Sequence, residues 1–208
     1  MNDRAELDRL LDDVIVAHVG IADDSGGAVV IPTAIARHAD NVLIHGSTGS
    51  RWMRRAAAGH PVCVAVTELS GIIVARSSFE SSLRYRSAVL FGTFTRLAGA
   101  DLARALDIIT EHLIPGRSAE LRAPHPRELA ATMVLSMPIQ EWSMKVSAGW
   151  PDDEQDDIAG TAWAGVIPFH LRLGDPQPAP DLRAGIGIPR SVTAMVTAEG
   201  AARPRAMK

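Results

Sequence analysis

Between residues 14 and 99 the chain repeats one pattern: short runs rich in valine and isoleucine, each closed by glycine, aspartate, serine or asparagine. Runs of this length and composition suit strands, and the turn residues between them set up antiparallel neighbours. VIVAHVGIA (14–22) and AVVIPTAIA (28–36) flank the cluster DDSGG (23–27) and read as one such pair. After the RHAD turn (37–40), NVLIHG (41–46) is a third strand. PVCVAVTEL (61–69) alternates Val62, Val64 and Val66, and Ser70-Gly71 predicts a tight hairpin into IIVAR (72–76). YRSAVLFGTFTRLAG (85–99) reads as one long strand in which Gly92 marks a bulge or a close backbone approach. VLSMPIQEWSMKVS (134–147) is the last core strand, with Pro138 at an edge or a bulge.

The helices are few and short. Leu7, Leu10 and Leu11 give the first thirteen residues one apolar stripe, and Leu102, Leu106, Ile109 and Leu113 do the same over 100–113. RWMRRAAA (51–58) starts after Ser50, a candidate cap, and ends at Gly59; HPRELAATM (125–133) starts a fourth helix. Six or seven strands joined by short turns, with only small helices between them, favour a closed or partly closed antiparallel barrel. A doubly wound dinucleotide fold is excluded, because no G-x-G-x-x-G links a strand to a helix.

Length and composition set the remaining bounds. At 208 residues the chain holds one domain and an extension, predicted as 1–150 and 151–208. The single cysteine, Cys63, leaves no internal disulfide and no multi-cysteine metal site, and it reads as a small core residue. A net charge of −3 argues against a nucleic-acid or anionic-membrane binder. No apolar run approaches the ~20 residues of a membrane span, and MNDRAELDRLLDD lacks the core of a signal peptide, so a cytoplasmic location is expected. In the extension, PDDEQDDIAG (151–160) reads as a solvated acidic loop. WAGVIPFHLRL (163–173) reads as a cover for the domain or a partner, and the Pro-, Gly- and Ala-rich remainder as extended or disordered.

The stretch most informative for chemistry is LIHGSTGSRWMRR (43–55). A strand ends, small and hydroxyl residues follow, and a helix opens with arginine. Ser47, Ser50 and the Arg51 guanidinium can converge on a phosphate, and Gly46 leaves room for close backbone approach. A capped helix with surface arginines explains the same residues. His45 stands beside this loop. Arg84 and Arg86 share one face of a strand, solvated or bordering an anion, with Tyr85 and Ser87 on the other. Trp142 and Lys145 put an aromatic ring near a cation, which suits core packing or a flat anionic cofactor. His60 and Cys63 lack a third ligand, so no metal site is expected.

Taken in order, IHGSTGSRWMR, GHPVCVAVTELSGIIVARS, YRSAVLFGTFTRL, EHLIPGR and WSMK resemble the pyridoxamine 5′-phosphate oxidase-like flavoproteins. The branch with the nitroimidazole-resistance reductases is the nearest in pattern, over roughly residues 10–170. The resemblance implies a six-stranded antiparallel Greek-key split β-barrel that forms a homodimer with FMN at the interface. It places the FMN phosphate on His45, Gly46, Ser47, Ser50 and Arg51, and the flavin ring along Pro32, Thr33 and Ala34. Ser87, Trp142 and Lys145 complete the cofactor set, and His45 takes the catalytic position. Two departures stand out: Trp52 replaces a second basic residue of the oxidases, and no arginine–histidine set follows Trp142, so vitamin B6 oxidation is not expected. The implied function is an FMN-dependent reductase of small electron-poor molecules, with NAD(P)H as the possible electron donor. The alternative is a non-catalytic flavin, deazaflavin or haem binding protein of the same fold.

Overall fold

A computed structural model describes residues 3–200, with side chains described to 197. The first helix, α1 (Arg4–Asp13), starts at Asp3, whose carboxylate accepts from the Ala5 and Glu6 amides at 2.9 and 3.4 Å. Its leucine stripe (Leu7, Leu10, Leu11) is fully buried in the main core. Nine strands follow among the described residues. β1 (Val16–Ala22), β2 (Ala28–His38) and β3 (Asn41–Ser47) lead into α2 (Arg51–Ala57), and then come β4 (Val62–Val74), β5 (Ser82–Gly92) and β6 (Thr95–Arg96). After α3 (Gly99–Leu113) and α4 (Pro126–Ala131) come β7 (Thr132–Pro138) and β8 (Glu141–Ser147). α5 (Gln155–Ile158), β9 (Gly165–Pro168) and α6 (Arg190–Gly200) make up the C-terminal part.

All pairings are antiparallel, in the order β6-β7-β3-β2-β1-β4-β5-β8, with β9 added to β4. The sheet curls into a half-barrel around α1, the split-barrel architecture expected, although with more than six strands. β2 joins its two halves. Residues 28–34 pair with β1, and residues 35–38 with β3. Inward-facing Ala17, Val19, Ile35, Ile44, Val64, Val66, Leu90, Leu135 and Met137 close on the α1 leucines, while α3 covers the other face of β2, β3 and β7 through Leu102, Ala105 and Ile109 against Ala36, Leu43 and Val134.

Several expected elements take a different form. Ser70-Gly71 is no hairpin: β4 runs straight through, with a bulge between Leu69 and Gly71. Gly71 is required there because a Cβ would lie 2.7 Å from the Ile167 carbonyl oxygen of β9. The long strand ends at Gly92, where Met137 Sδ would stand 3.1 Å from a Cβ, so the close-approach reading of this glycine holds. The 134–147 strand divides at Pro138, and its two parts pair in different halves of the sheet. In the acidic run Asp153 is buried, its side chain 1% exposed, and it accepts from the Arg76 amide and guanidinium, both at 2.7 Å. The tail expected to be unstructured contains α6. No helix of the described residues is long and apolar enough to cross a membrane.

Arg86 fastens α1 to the barrel. Its guanidinium meets Asp13 at 2.7 Å and Glu6 at 3.2 Å on the helix, and Glu68 across the β4–β5 ladder. Burial works against its charge, yet the hydrogen bonds to Asp13 and Glu68 and the attraction of Glu68 win, and its pKa is raised. The Arg86→Met variant removes the cation shared by three carboxylates. The partly open position tempers the ~3–5 kcal/mol of a fully buried pair, so the expected loss is about 2 kcal/mol, read as a lower urea midpoint with unchanged slope. A loss below about 0.5 kcal/mol would show that the helix is held by its leucines alone.

Candidate functional site

The junction in β2 brings one part of the predicted set together. Ile35 pairs with Ile44, and the next residue along each strand, Ala34 and His45, no longer pairs with the other. Each keeps only its partner on its other edge, Ala34 with Val16 of β1 and His45 with Val134 of β7. The two strands therefore diverge and open a gap in the barrel wall, with Ala34 on one lip and His45 on the other. His45 shares its face of β3 with Leu43, and its Nδ1 is buried with no hydrogen-bond partner. An orphaned ring nitrogen of this kind is costly unless something occupies the space before it.

Below the gap runs the loop Ser47–Ser50. It is pinned from three sides. The Thr48 amide and hydroxyl both bond the Ala131 carbonyl at the end of α4 (3.0 and 3.3 Å), the Gly49 amide donates to Ser47 Oγ (3.1 Å), and the Ser50 amide donates to the Ser47 carbonyl (3.0 Å). Ser50 holds the N-cap position of α2 but makes no capping bond with its side chain, contrary to its expected role. Arg54 reaches back to the Thr48 and Gly49 carbonyls at 3.3 and 2.8 Å, so it shapes the loop. Arg55 is bound to the Ala22 carbonyl and Asp24, and Trp52 packs on the core.

Arg51 is 78% exposed, and its ion pair is to Asp24 at the tip of the β1–β2 turn. That turn is rigid: Asp23 accepts from Ser25 Oγ (2.7 Å) and from the Ser25 and Gly27 amides (2.8 and 2.7 Å), bonds that hold its pKa down. Hydrogen bonding to Arg51, and then the charges of Arg51 and Arg55, lower the Asp24 pKa. Such an exposed pair contributes little to stability, so Arg51 is available to a stronger anion.

The remaining predicted residues separate by face. Pro32 and Ala34 of β2, Ser87 of β5 and Lys145 of β8 lie on the outer face, where Ser87 and Lys145 are cross-strand partners and the Lys145 ammonium sits 5.7 Å from the Tyr85 ring centre. Thr33 stands opposite buried Ala17, and Trp142 opposite Leu90 against the main core, so both point inward. The outer face also carries His18, Gly20, Ala65 and Thr67, which the sequence reading did not select; their alternation with buried Ala17, Val19, Val64 and Val66 was the available signal. The Arg86 guanidinium is taken up by Glu6, Asp13 and Glu68. His112 is half-buried, with Nε2 2.8 Å from the Val14 carbonyl.

The model of the pyridoxamine 5′-phosphate oxidase family matches residues 3–146. The chain belongs to this family. Likeness to solved structures extends past the matched region. The FAD and heme binding protein of Mycobacterium smegmatis is 50% identical with a TM-score of 0.91, covering 94% of this chain and 96% of its own. The flavocytochrome Anf3 of Azotobacter vinelandii is 33% identical with a TM-score of 0.88, covering 94% and 91%. A protein described as a 5-nitroimidazole antibiotic resistance protein, from Bacteroides thetaiotaomicron, shares the fold at 18% identity and a TM-score of 0.58, over 69% and 84%. None of the curated proteins matches the chain.

The α4 cap gives this family member a pH signature. Glu128 is held at a pKa of about 2 by Arg122 and by the His125 amide, which donates at 2.7 Å. Because the folded value lies below the unfolded one, this contribution is complete above pH ~4.5 and disappears as pH falls through about 2. A carboxyl NMR titration is expected to find Glu128 near 2 in the native chain and closer to 4.5 in Arg122→Ala; an unmoved value in the variant would assign the depression to the amide alone.

Proposed function

We propose that the chain is a flavin-binding protein whose coenzyme lies at the gap between β2 and β3 and along the outer sheet face, in a homodimer formed through that face. The observation that carries this reading is the likeness, over nearly the full length of both chains, to a protein named for binding FAD and heme. The site supports it independently. Arg51, Ser47 and Ser50 offer a cation and two hydroxyls to a phosphoryl group shared by FMN and FAD, whereas Gly46 faces the core, where a Cβ would meet the Met53 side chain at 3.3 Å. Pro32 and Ala34 give the ring a smooth wall, Ser87 and Lys145 supply polar contacts, and His45 presents its unpaired nitrogen.

Both similar proteins of high coverage have names that combine a flavin with a haem, so FAD is preferred to FMN here and a haem is the second prosthetic group. The orphaned Nδ1 of His45 fits a polar partner on such a group as well as on a flavin. The bound flavin supplies electron transfer, and the chain's own residues position it and screen it from water. An oxidoreductase acting on a small electron-poor acceptor follows from this reading, with a nicotinamide coenzyme as the donor.

The test is direct. The purified full-length chain is expected to show flavin absorption, to release FAD on denaturation, and to give a pyridine haemochrome. Release of FMN instead would correct the coenzyme. A colourless protein that takes up neither flavin would overturn the reading. In Arg51→Ala, flavin affinity is expected to fall about tenfold or more, since one charge-assisted bond to phosphate is lost. Unchanged affinity would place the phosphate elsewhere.

A further inference from the structure

The segment between β9 and α6 has no role in the fold described above. Its two ends are anchored. At the near end Asp153 clasps Arg76, β9 pairs with residues 71–74 of β4, and the Phe169 amide donates to the Ser70 carbonyl at 3.0 Å. At the far end Ser191 donates its amide and hydroxyl to Glu120 at 3.0 and 2.6 Å. Residues 169–189 between these anchors contain no helix or strand. Connections longer than ~12–15 residues without secondary structure are uncommon in compact domains and are usually either functional or linker segments. Pro176, Pro178 and Pro180 keep the middle extended at low entropy.

The composition of this span is apolar where solvent would favour polar residues. Leu171 is 86% exposed and Ile188 60%, with Leu182 and Ile186 about half exposed. A second bare apolar surface lies on the same chain. On the outer sheet face Val30 is 63% exposed, and Val16, Leu69, Leu83 and Phe91 are also open. Neither surface covers the other within one chain, since both remain exposed. At roughly 80–100 Å² for each half-exposed large side chain, the two together approach the ~800 Å² that one partner of a stable complex buries. A two-fold dimer presents each surface twice, so arm-to-face contacts close without leaving a free copy of either.

We infer that residues 169–189 form an arm that reaches across to a second copy of this chain and buries Leu171, Leu182, Ile186 and Ile188 on its outer sheet face. This rests on the proposed dimer and adds that the cover of each outer face is donated in trans. The arm of one protomer would then flank the flavin of the other, and the Asp153–Arg76 clasp sets the direction in which it leaves.

The experiment uses the full chain with the photo-crosslinker p-benzoylphenylalanine in place of Leu171 or, separately, Ile188. Mass is followed by light scattering, flavin content by absorbance, and linked peptides by mass spectrometry. The expected result is a covalent two-chain product with links to peptides of β1, β2, β4 or β5, and a dimer dissociation constant raised about tenfold or more in Leu171→Asp. A flavin-loaded dimer that gives only links within one chain, or none, would overturn the arm and leave the dimer standing. A flavin-loaded monomer would overturn arm and dimer together and leave flavin binding intact.

Discussion

The change of partner along β2 governs the rest of the structure. Seven residues of this strand bond to β1 and the next four to β3, so one continuous strand belongs to two differently directed halves of a sheet. Hydrogen bonding cannot be continuous on both sides of such a strand, and the interruption falls between Ala34 and His45. Everything proposed for function gathers around that interruption: the unpaired ring nitrogen of His45, the pinned loop 47–50, and the arginine that opens α2. The same change of direction divides the inner core from the layer under α3, and among the described residues Val16, Leu69, Leu83 and Phe91 on the outer face of β1, β4 and β5 stay exposed.

The packing around this junction explains why the loop can be polar and still well placed. The strand behind it is fixed by Val42 and Ile44 in the main core, and α4 is fixed in turn by Arg122 and Glu128. Thr48 connects the two through the Ala131 carbonyl, and Arg54 ties down the loop's remaining carbonyls. Arg54 and Arg55 are used in such bonds, and among the described residues Arg51 pairs with the exposed Asp24 carboxylate. Charge is thus kept near the gap without being locked into the fold.

Much of this was legible in the residues. Valine and isoleucine alternation located the strands, the leucine stripes located α1 and α3, and the ordered motifs pointed to the family and to the 43–55 stretch. What was not legible depended on contacts distant in sequence. Ser70-Gly71 resembles a hairpin turn locally, but the approach of β9 about a hundred residues later makes it a bulge within one strand. Asp153 looks like one acid among several until Arg76 is found beside it. Trp142 and Thr33 alternate with outward residues, and only the registers with Leu90 and Ala17 show that they point into the core. Arg86 resembled an anion-binding residue because its three acids come from two distant stretches of chain, Glu6 and Asp13 from α1 and Glu68 from β4.

The central claim is that a flavin seats at the divergence of β2 and β3. Amide hydrogen exchange of the protein stripped of flavin, measured with and without added FAD, tests it most directly. The account predicts slowed exchange at 33–34 and over 45–51, with β7 and β8 unchanged. Protection that appears elsewhere while these two segments keep their rates would contradict it.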